Sequence, residues 1–352
     1  MPSSLALDTA MLGQQVPLAK VYKALRDLWA DETGKTRASL MNFAIYSEDP
    51  DSLERNTNLL AALTGEHSCR ALLVLNCPGA TPSEPTAWVT AHCQLYDGKR
   101  SVCCEQLSFV MEGGSADQVR NTVFAHLDSD LPLVVWWQSE CIDRLDERFI
   151  SVIDSLFIDS STAAEPSQYL QKVLELRMTP TARFSLSDLA WMRSHFMRIA
   201  LAGAFQNPVV LADLAKFDRL AIVYGAGAQM SAQMLAAWIG TQLKCKLGED
   251  SELSLQRADG SRIELVIEQG DCPCALQQLC FSGPGMAITV ERDPSSSFVH
   301  AKVTHPQVQR DDVQPADHDQ DANLIGEQLS RLGGTTRYFE MMPLLLALLA
   351  RR

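Results

Sequence analysis

Four groups of residues have the types and spacing to do chemistry. Gly225-Ala-Gly227 stands between a strand-like run and a helix-like one, the arrangement in which a helix N-terminus offers backbone N–H groups to a phosphate. A full dinucleotide fingerprint needs a third glycine three residues after the second and an acid about twenty residues on, behind a second strand. Met230 stands in the glycine's place, and Asp250 lies in a loop. Cys272-Pro-Cys274 with Cys280 supplies three thiols, but structural zinc takes four ligands. His300, His305 and His318 offer no i, i+4 pair to complete the set, so no metal is expected. Cys103 and Cys104 are neighbours on a strand, where successive side chains point to opposite faces. A bond between the two would need strained geometry, so any disulfide partner must come from elsewhere. Read as residues, they are buried structural cysteines or redox-sensing thiols, and Glu105 beside them raises a thiol pKa and slows its reaction. Ser139, Ser155, Ser160 and Ser161 include no Gly-x-Ser-x-Gly elbow. The sequence makes no positive case for catalysis, and no cofactor is expected.

The remaining candidates recognise rather than react. Leu131-Pro-Leu-Val-Val-Trp-Trp137 and the run over 152–161 are short β-branched and aromatic stretches closed by polar residues, as strands buried on both faces of a parallel sheet read. Trp136 and Trp137 then point to opposite faces. The expectation is that one ring packs in the core while the other stands at a surface, where a Trp can anchor a partner.

Elements that would position these residues follow from periodicity. An amphipathic helix is expected over 16–29, ended by Gly34, with Val21, Leu25 and Leu28 on one stripe. Strands are expected at 40–46, 70–75, 87–96, 102–111, 131–137 and 152–161, the 87–96 and 102–111 pair meeting at Asp97-Gly98, a hairpin signal. Helices are expected over 50–63, 115–127 with Ser115 as N-cap, and 166–178. Beyond a linker at Thr179-Pro-Thr181, helices are expected over 186–204 and 229–243, with strands at 220–224, 252–257, 262–268, 286–292 and 298–304. The polar stretch 304–323 reads as a solvated loop. The run Met341-Met-Pro-Leu-Leu-Leu-Ala-Leu-Leu-Ala350 reads as a docked terminal helix, about half the ~20 residues a membrane span needs. The fold class is therefore α/β (α+β) in two domains: 1–178, a mixed sheet flanked by helices, and 179–352, a second, smaller α/β or α+β domain.

Composition sets the outer bounds. The chain's 352 residues, 46% hydrophobic, are enough for two domains with full cores. A net charge of −13 opposes attraction to phosphate backbones and anionic lipid, so neither nucleic acid nor membrane is an expected partner. Residues 1–15 are mixed and polar, without the basic and apolar regions of a signal peptide, so secretion is not expected. The ten cysteines are then read as mostly reduced thiols in a cytoplasmic protein.

Several of these stretches together resemble one family. They are Thr36-Arg-Ala-Ser-Leu-Met-Asn-Phe43, His67-Ser-Cys-Arg70, Cys103-Cys-Glu105, the 131–137 and 153–161 runs, and Asp188-Leu-Ala-Trp191. In order and spacing the chain is similar, from about residue 16 onward, to the glucose-6-phosphate dehydrogenase assembly protein family (OpcA). The resemblance implies a noncatalytic subunit that binds the dehydrogenase, promotes its active oligomer and raises its activity in the oxidative pentose phosphate pathway. Two rivals stay open: a nucleotide-sugar or dinucleotide enzyme using the Gly225–Gly227 turn, and a cysteine-based redox adaptor.

Overall fold

A computed structural model describes residues 9–30, 35–37, 39–96, 100–249, 251–331 and 336–351. The Gly34 helix stop, the Asp97-Gly98 turn, Asp250 and residues 1–8 lie outside them. The chain forms two compact units that interleave in sequence: 1–158 with 171–186 and 325–330, and 159–170 with 187–324 and 331–352.

The first unit is built on strands β1 (Gln14–Val16), β2 (Lys35–Arg37), β3 (Met41–Ser47), β4 (Cys69–Cys77), β5 (Thr86–Tyr96), β6 (Arg100–Glu112), β7 (Leu133–Gln138) and β8 (Ser155–Ile158), in the order β1-β5-β6-β4-β3-β7-β8 with β2 beside β6. Helices α1 (Val21–Ala30), α2 (Ser52–Glu66), α3 (Ala116–His126) and α4 (Glu147–Ile150) connect them. The five strands from β6 to β8 all run parallel. Counted in chain order, they lie 3-2-1-4-5, the order of a doubly wound nucleotide-binding sheet. Parallel strands covered on both faces must be apolar throughout, and all nine residues of β4 are buried. β5 adds an antiparallel hairpin partner to β6, and β1 pairs β5. Ser115 caps α3 in a capping box with Gln118, satisfying two otherwise orphaned N–H groups. Helix α5 (Pro166–Met178) and strand β9 (Ser185–Asp188) carry the chain onward.

The second unit contains α6 (Leu189–Met192), α7 (His195–Ala204), α8 (Pro208–Ala212), β10 (Arg219–Tyr224), α9 (Gln229–Gln242), β11 (Lys246–Leu247), β12 (Ser254–Gln256), β13 (Arg262–Gln269), β14 (Leu276–Gly283), β15 (Met286–Arg292), β16 (Phe298–His305) and β17 (Val308–Pro315). Helices α10 (Asp321–Ser330) and α11 (Thr336–Leu349) follow. Its sheet has the order β11-β12-β13-β10-β14-β15-β16-β17. Only β10 and β13 pair in parallel; the other ladders are antiparallel. Leu220, Ile222, Leu279, Phe281, Ile288, Val290, Val299 and Val303 form its buried side, against which α7 and α9 pack. The terminal run docks as α11 on α9, with Met341, Leu345 and Leu348 buried. The two-unit α/β reading with mixed sheets holds.

Local expectations fail where burial defeats periodicity. The 186–204 helix is a strand followed by two helices, because Asp188 caps α6 through the Ala190 N–H and the chain turns at Arg193 and Ser194. The solvated loop at 304–323 is β17, hairpinned to β16 through Pro306 and Gln307, and then the start of α10. β17 is a polar edge strand, so it lacks the apolar alternation that marks a strand. β14 is a strand the sequence does not predict, because a register shift opposite Leu276 breaks its alternation into the burial of Leu276, Leu279 and Phe281. Four of the ten cysteines are paired, Cys93 with Cys103 and Cys272 with Cys274, so reduced thiols describe the other six.

Candidate functional site

The 3-2-1-4-5 order places a topological switch between β3 and β7, and in such sheets ligands bind beyond the carboxyl ends of the strands at that switch. The chain leaves β3 toward β4 and β6, then returns through α3 to β7 on the other side. Trp137, on β7, stacks on Tyr46 of β3 at 3.9 Å between ring centroids, and Phe149 meets its edge at 6.4 Å. The Tyr46 hydroxyl donates to Glu48 Oε1 at 2.6 Å, and Asn76 Nδ2 donates to that hydroxyl at 3.1 Å. Ser139 Oγ donates to Glu48 Oε2 at 2.9 Å, while Arg144 Nε pairs with Oε1 at 2.8 Å. Asn56 and Gln138 exchange amide hydrogen bonds of 2.8 and 2.9 Å alongside. Burial first, then the Glu48 contact, pushes the Tyr46 phenol well above its ordinary range.

Chemically this edge is closed. A pyrophosphate needs a glycine-rich turn and unclaimed N–H groups at the first helix. From the last residue of β3 the chain runs instead Ser47-Glu48-Asp49-Pro50-Asp51-Ser52. The Asp49 N–H donates to Ser47 Oγ, the Asp51 N–H to Asp49 Oδ1, and Ser52 Oγ to the Asp49 carbonyl. Three carboxylates within four residues repel phosphate, and both Glu48 oxygens already accept bonds. The network holds Tyr46, Trp137 and the loops together.

Both tandem Trp rings are buried, Trp136 at 3% exposure and Trp137 at 1%. The expectation that one stands at a surface is therefore wrong: β7 is an interior strand between β3 and β8, covered on both faces. Neither indole N–H has a hydrogen-bond acceptor among the described residues. Nor does the fold bring Trp136 and Trp137 to Cys103 and Cys104, since β3 and β4 lie between β7 and β6. Cys103 is bonded to Cys93 directly across the β5–β6 ladder. Cys104 is a buried thiol outside the disulfides, and burial raises its pKa. Cys69 is pushed up to about 12 by burial, then by the neighbouring Cys104.

What sequence reading missed is that two motifs meet. Arg70 Nε donates to Glu105 Oε1 at 2.5 Å, with side chains 7% and 0% exposed. Arg70 also donates to the His126 carbonyl, and the Trp29 indole to Glu105 Oε2. Parallel pairing of β4 with β6 sets the two motifs side by side. The signal was present as an acid and a base on apolar strands, groups that are almost never fully buried unless paired.

In the second unit, the Asp188–Trp191 motif is likewise a packing centre. Asp188 Oδ1 accepts from the Ser160 and Ala190 N–H groups, and Oδ2 accepts from the Tyr338 hydroxyl at 2.8 Å. Burial, then nearby Asp159, pushes its pKa up to about 6. Arg198 lies 3.3 Å from the centroid of Trp191 and donates to the Trp191 carbonyl at 2.7 Å. Burial lowers the Arg198 pKa to about 9, and burial with Arg331 and Arg198 lowers that of His195 to about 4. Arg193 bridges Asp159 and Asp321 at 2.9 Å each. The Gly225 turn does join β10 to α9, but a Cβ there would press on the Cys272 and Cys274 carbonyl oxygens. That glycine is needed for close approach of its own chain. Cys272 and Cys274 are bonded to each other, and no cluster of metal-binding side chains occurs among the described residues.

A doubly wound sheet whose switch point is closed by its own side chains, together with a second unit on a largely antiparallel sheet, defines a two-unit α/β protein. Residues 61–175 match the family model for the glucose-6-phosphate dehydrogenase subunit N-terminal domain, and residues 184–342 the model for its C-terminal domain. The chain belongs to the glucose-6-phosphate dehydrogenase assembly protein (OpcA) family. It is similar to a Synechocystis sp. protein whose name, OpcA, assigns it provisionally to the OxPP cycle, at 24% identity over 221 residues. That alignment covers 61% of this chain and 46% of the relative, so the chain spans about half the relative's length. Among solved structures, it is similar to KijD10, a 3-ketoreductase from Actinomadura kijaniata, at 11% identity and a TM-score of 0.48, covering 88% and 96% of the two chains. An aldose-aldose oxidoreductase from Caulobacter crescentus gives 11% identity and a TM-score of 0.45 over the same shares.

Proposed function

We propose that this chain is a noncatalytic assembly and activating subunit of glucose-6-phosphate dehydrogenase, acting in the cytoplasm in the oxidative pentose phosphate pathway. The observation that carries the reading is the pair of family matches over 61–175 and 184–342. The acidic, hydrogen-bonded loop after β3 supports it, because a sheet of dinucleotide-binding order has its phosphate position filled by carboxylates. Among the described residues, no helix is long and apolar enough to cross a membrane. The mechanism is differential affinity: a subunit that binds the active dehydrogenase state better shifts that equilibrium by the difference alone. About 3 kcal/mol gives a ~100-fold shift. Titration of the chain into its cognate dehydrogenase, with activity and oligomeric state followed together, tests the reading.

A second reading, a cysteine-based redox adaptor, has the Cys93–Cys103 bond in its favour, since Cys93 is exposed. In it, Cys103 would be the switching residue and Cys104 its neighbour. Thiol mapping with and without reductant, alongside activation assays of Cys103→Ser and Cys104→Ser, separates this from the purely structural role.

A further inference from the structure

Helices α7 and α9 of the second unit cover one face of its sheet. Along one row of paired, described residues the opposite face carries Val266, Ala221, Cys280, Thr289, Lys302 and Asp311, one from each strand from β13 to β17 by way of β10. None of the six is buried. A sheet face left to water ordinarily alternates toward polar and charged side chains. Here the central strands β10, β14 and β15 present small or uncharged residues in this row, and the charges lie toward the edges. An uncharged centre with a charged rim is the anatomy of a protein interface.

We infer that this face is a self-association surface, on which a second copy of the chain docks sheet to sheet. Size supports it. Six strands about 4.8 Å apart and some 24 Å long span roughly 700 Å², close to the ~800 Å² per partner of a standard stable interface. Charge supports it as well. Stacked sheets keep their strands nearly aligned, so a two-fold axis along the strands between β14 and β15 lays β14 on β15, β10 on β16 and β13 on β17. That operation sets Arg219 against Thr304, Gln278 against Glu291 and Ala221 against Lys302, with no like charges opposed. The charges keep partners within their own sheet: Arg219 pairs with Glu264 at 2.7 Å, and Lys302 stands beside Asp311 in the ladder. The inference does not depend on the dehydrogenase reading.

Light scattering on the full chain alone, over two decades of concentration, tests it. The wild type is expected to be a dimer, and Ala221→Arg or Thr289→Lys, which puts a charge at the centre of the face, should reduce it to a folded monomer whose melting temperature no longer rises with concentration. Two positions are used so that one poorly folding variant leaves the other to decide. A monomeric wild type, or a dimer that ignores the folded variants, overturns the inference. A monomeric wild type whose variants lose dehydrogenase activation also overturns it, and would assign the face to the dehydrogenase.

Discussion

Arg70 and Glu105, 35 residues apart, form a buried ion pair of 2.5 Å between adjacent parallel strands of the first unit. A buried pair is expensive to break and inexpensive to replace, because removing one partner leaves the other charge desolvated and alone. Arg70→Met or Glu105→Leu alone should destabilise the first unit by about 3–5 kcal/mol. The double variant should recover most of that loss. Thermal melts of the three variants check the cycle; equal losses in the single and double variants would contradict it.

Asp188 gives the second unit a pH dependence of defined sign. Its folded pKa of about 6 lies above the ordinary 3.8, so the folded state binds the extra proton between those values. Its contribution is therefore full below about pH 4 and is lost as pH rises through about 6, by roughly 3 kcal/mol at one pKa unit per 1.36 kcal/mol. Wild type minus Asp188→Asn stability, measured by denaturation at pH 4 and pH 7, should fall by that order. A constant difference would show that the Ser160, Ala190 and Tyr338 donors hold the carboxylate ionised throughout.

Trp136→Ala and Trp137→Ala should each cost about 3–5 kcal/mol, since both rings are buried. Trp137→Phe should cost less, because it keeps a ring against Tyr46. Melting temperatures order the three. A Trp136→Ala variant as stable as wild type would mean that its side of β7 is not core.

Two glycines should respond oppositely to alanine. At Gly203, in α7, a Cβ meets nothing within 4 Å, and Gly203→Ala should stabilise by about 0.8–1 kcal/mol through helix propensity. At Gly225 the Cys272 and Cys274 carbonyls stand in the way, so Gly225→Ala should lower the melting temperature. An unaffected Gly225→Ala would reopen that turn to a ligand.

The sequence was legible where burial is uniform or local chemistry decides. The 70–75 and 131–137 runs read correctly because parallel strands covered on both faces must be apolar, and Ser115 read correctly as a cap because capping is local. Position in the sheet was not legible. Nothing in Trp136-Trp137 says that β7 lies inside rather than at an edge, because that depends on β3 and β8 on either side of it, and Cys93 faces Cys103 only through the exact register of the β5–β6 hairpin, which the two strand patterns do not specify. The polar β17 escaped because it has no buried alternation of its own and is recognised as a strand only by its pairing with β16.

The central claim is tested most directly by titrating the purified chain into its cognate glucose-6-phosphate dehydrogenase at subsaturating substrate while following NADP reduction. The account predicts no turnover by the chain alone, and a rise in dehydrogenase activity that saturates at a fixed molar ratio. Turnover by the chain alone, or dehydrogenase activity unchanged across all ratios and substrate levels, would contradict it.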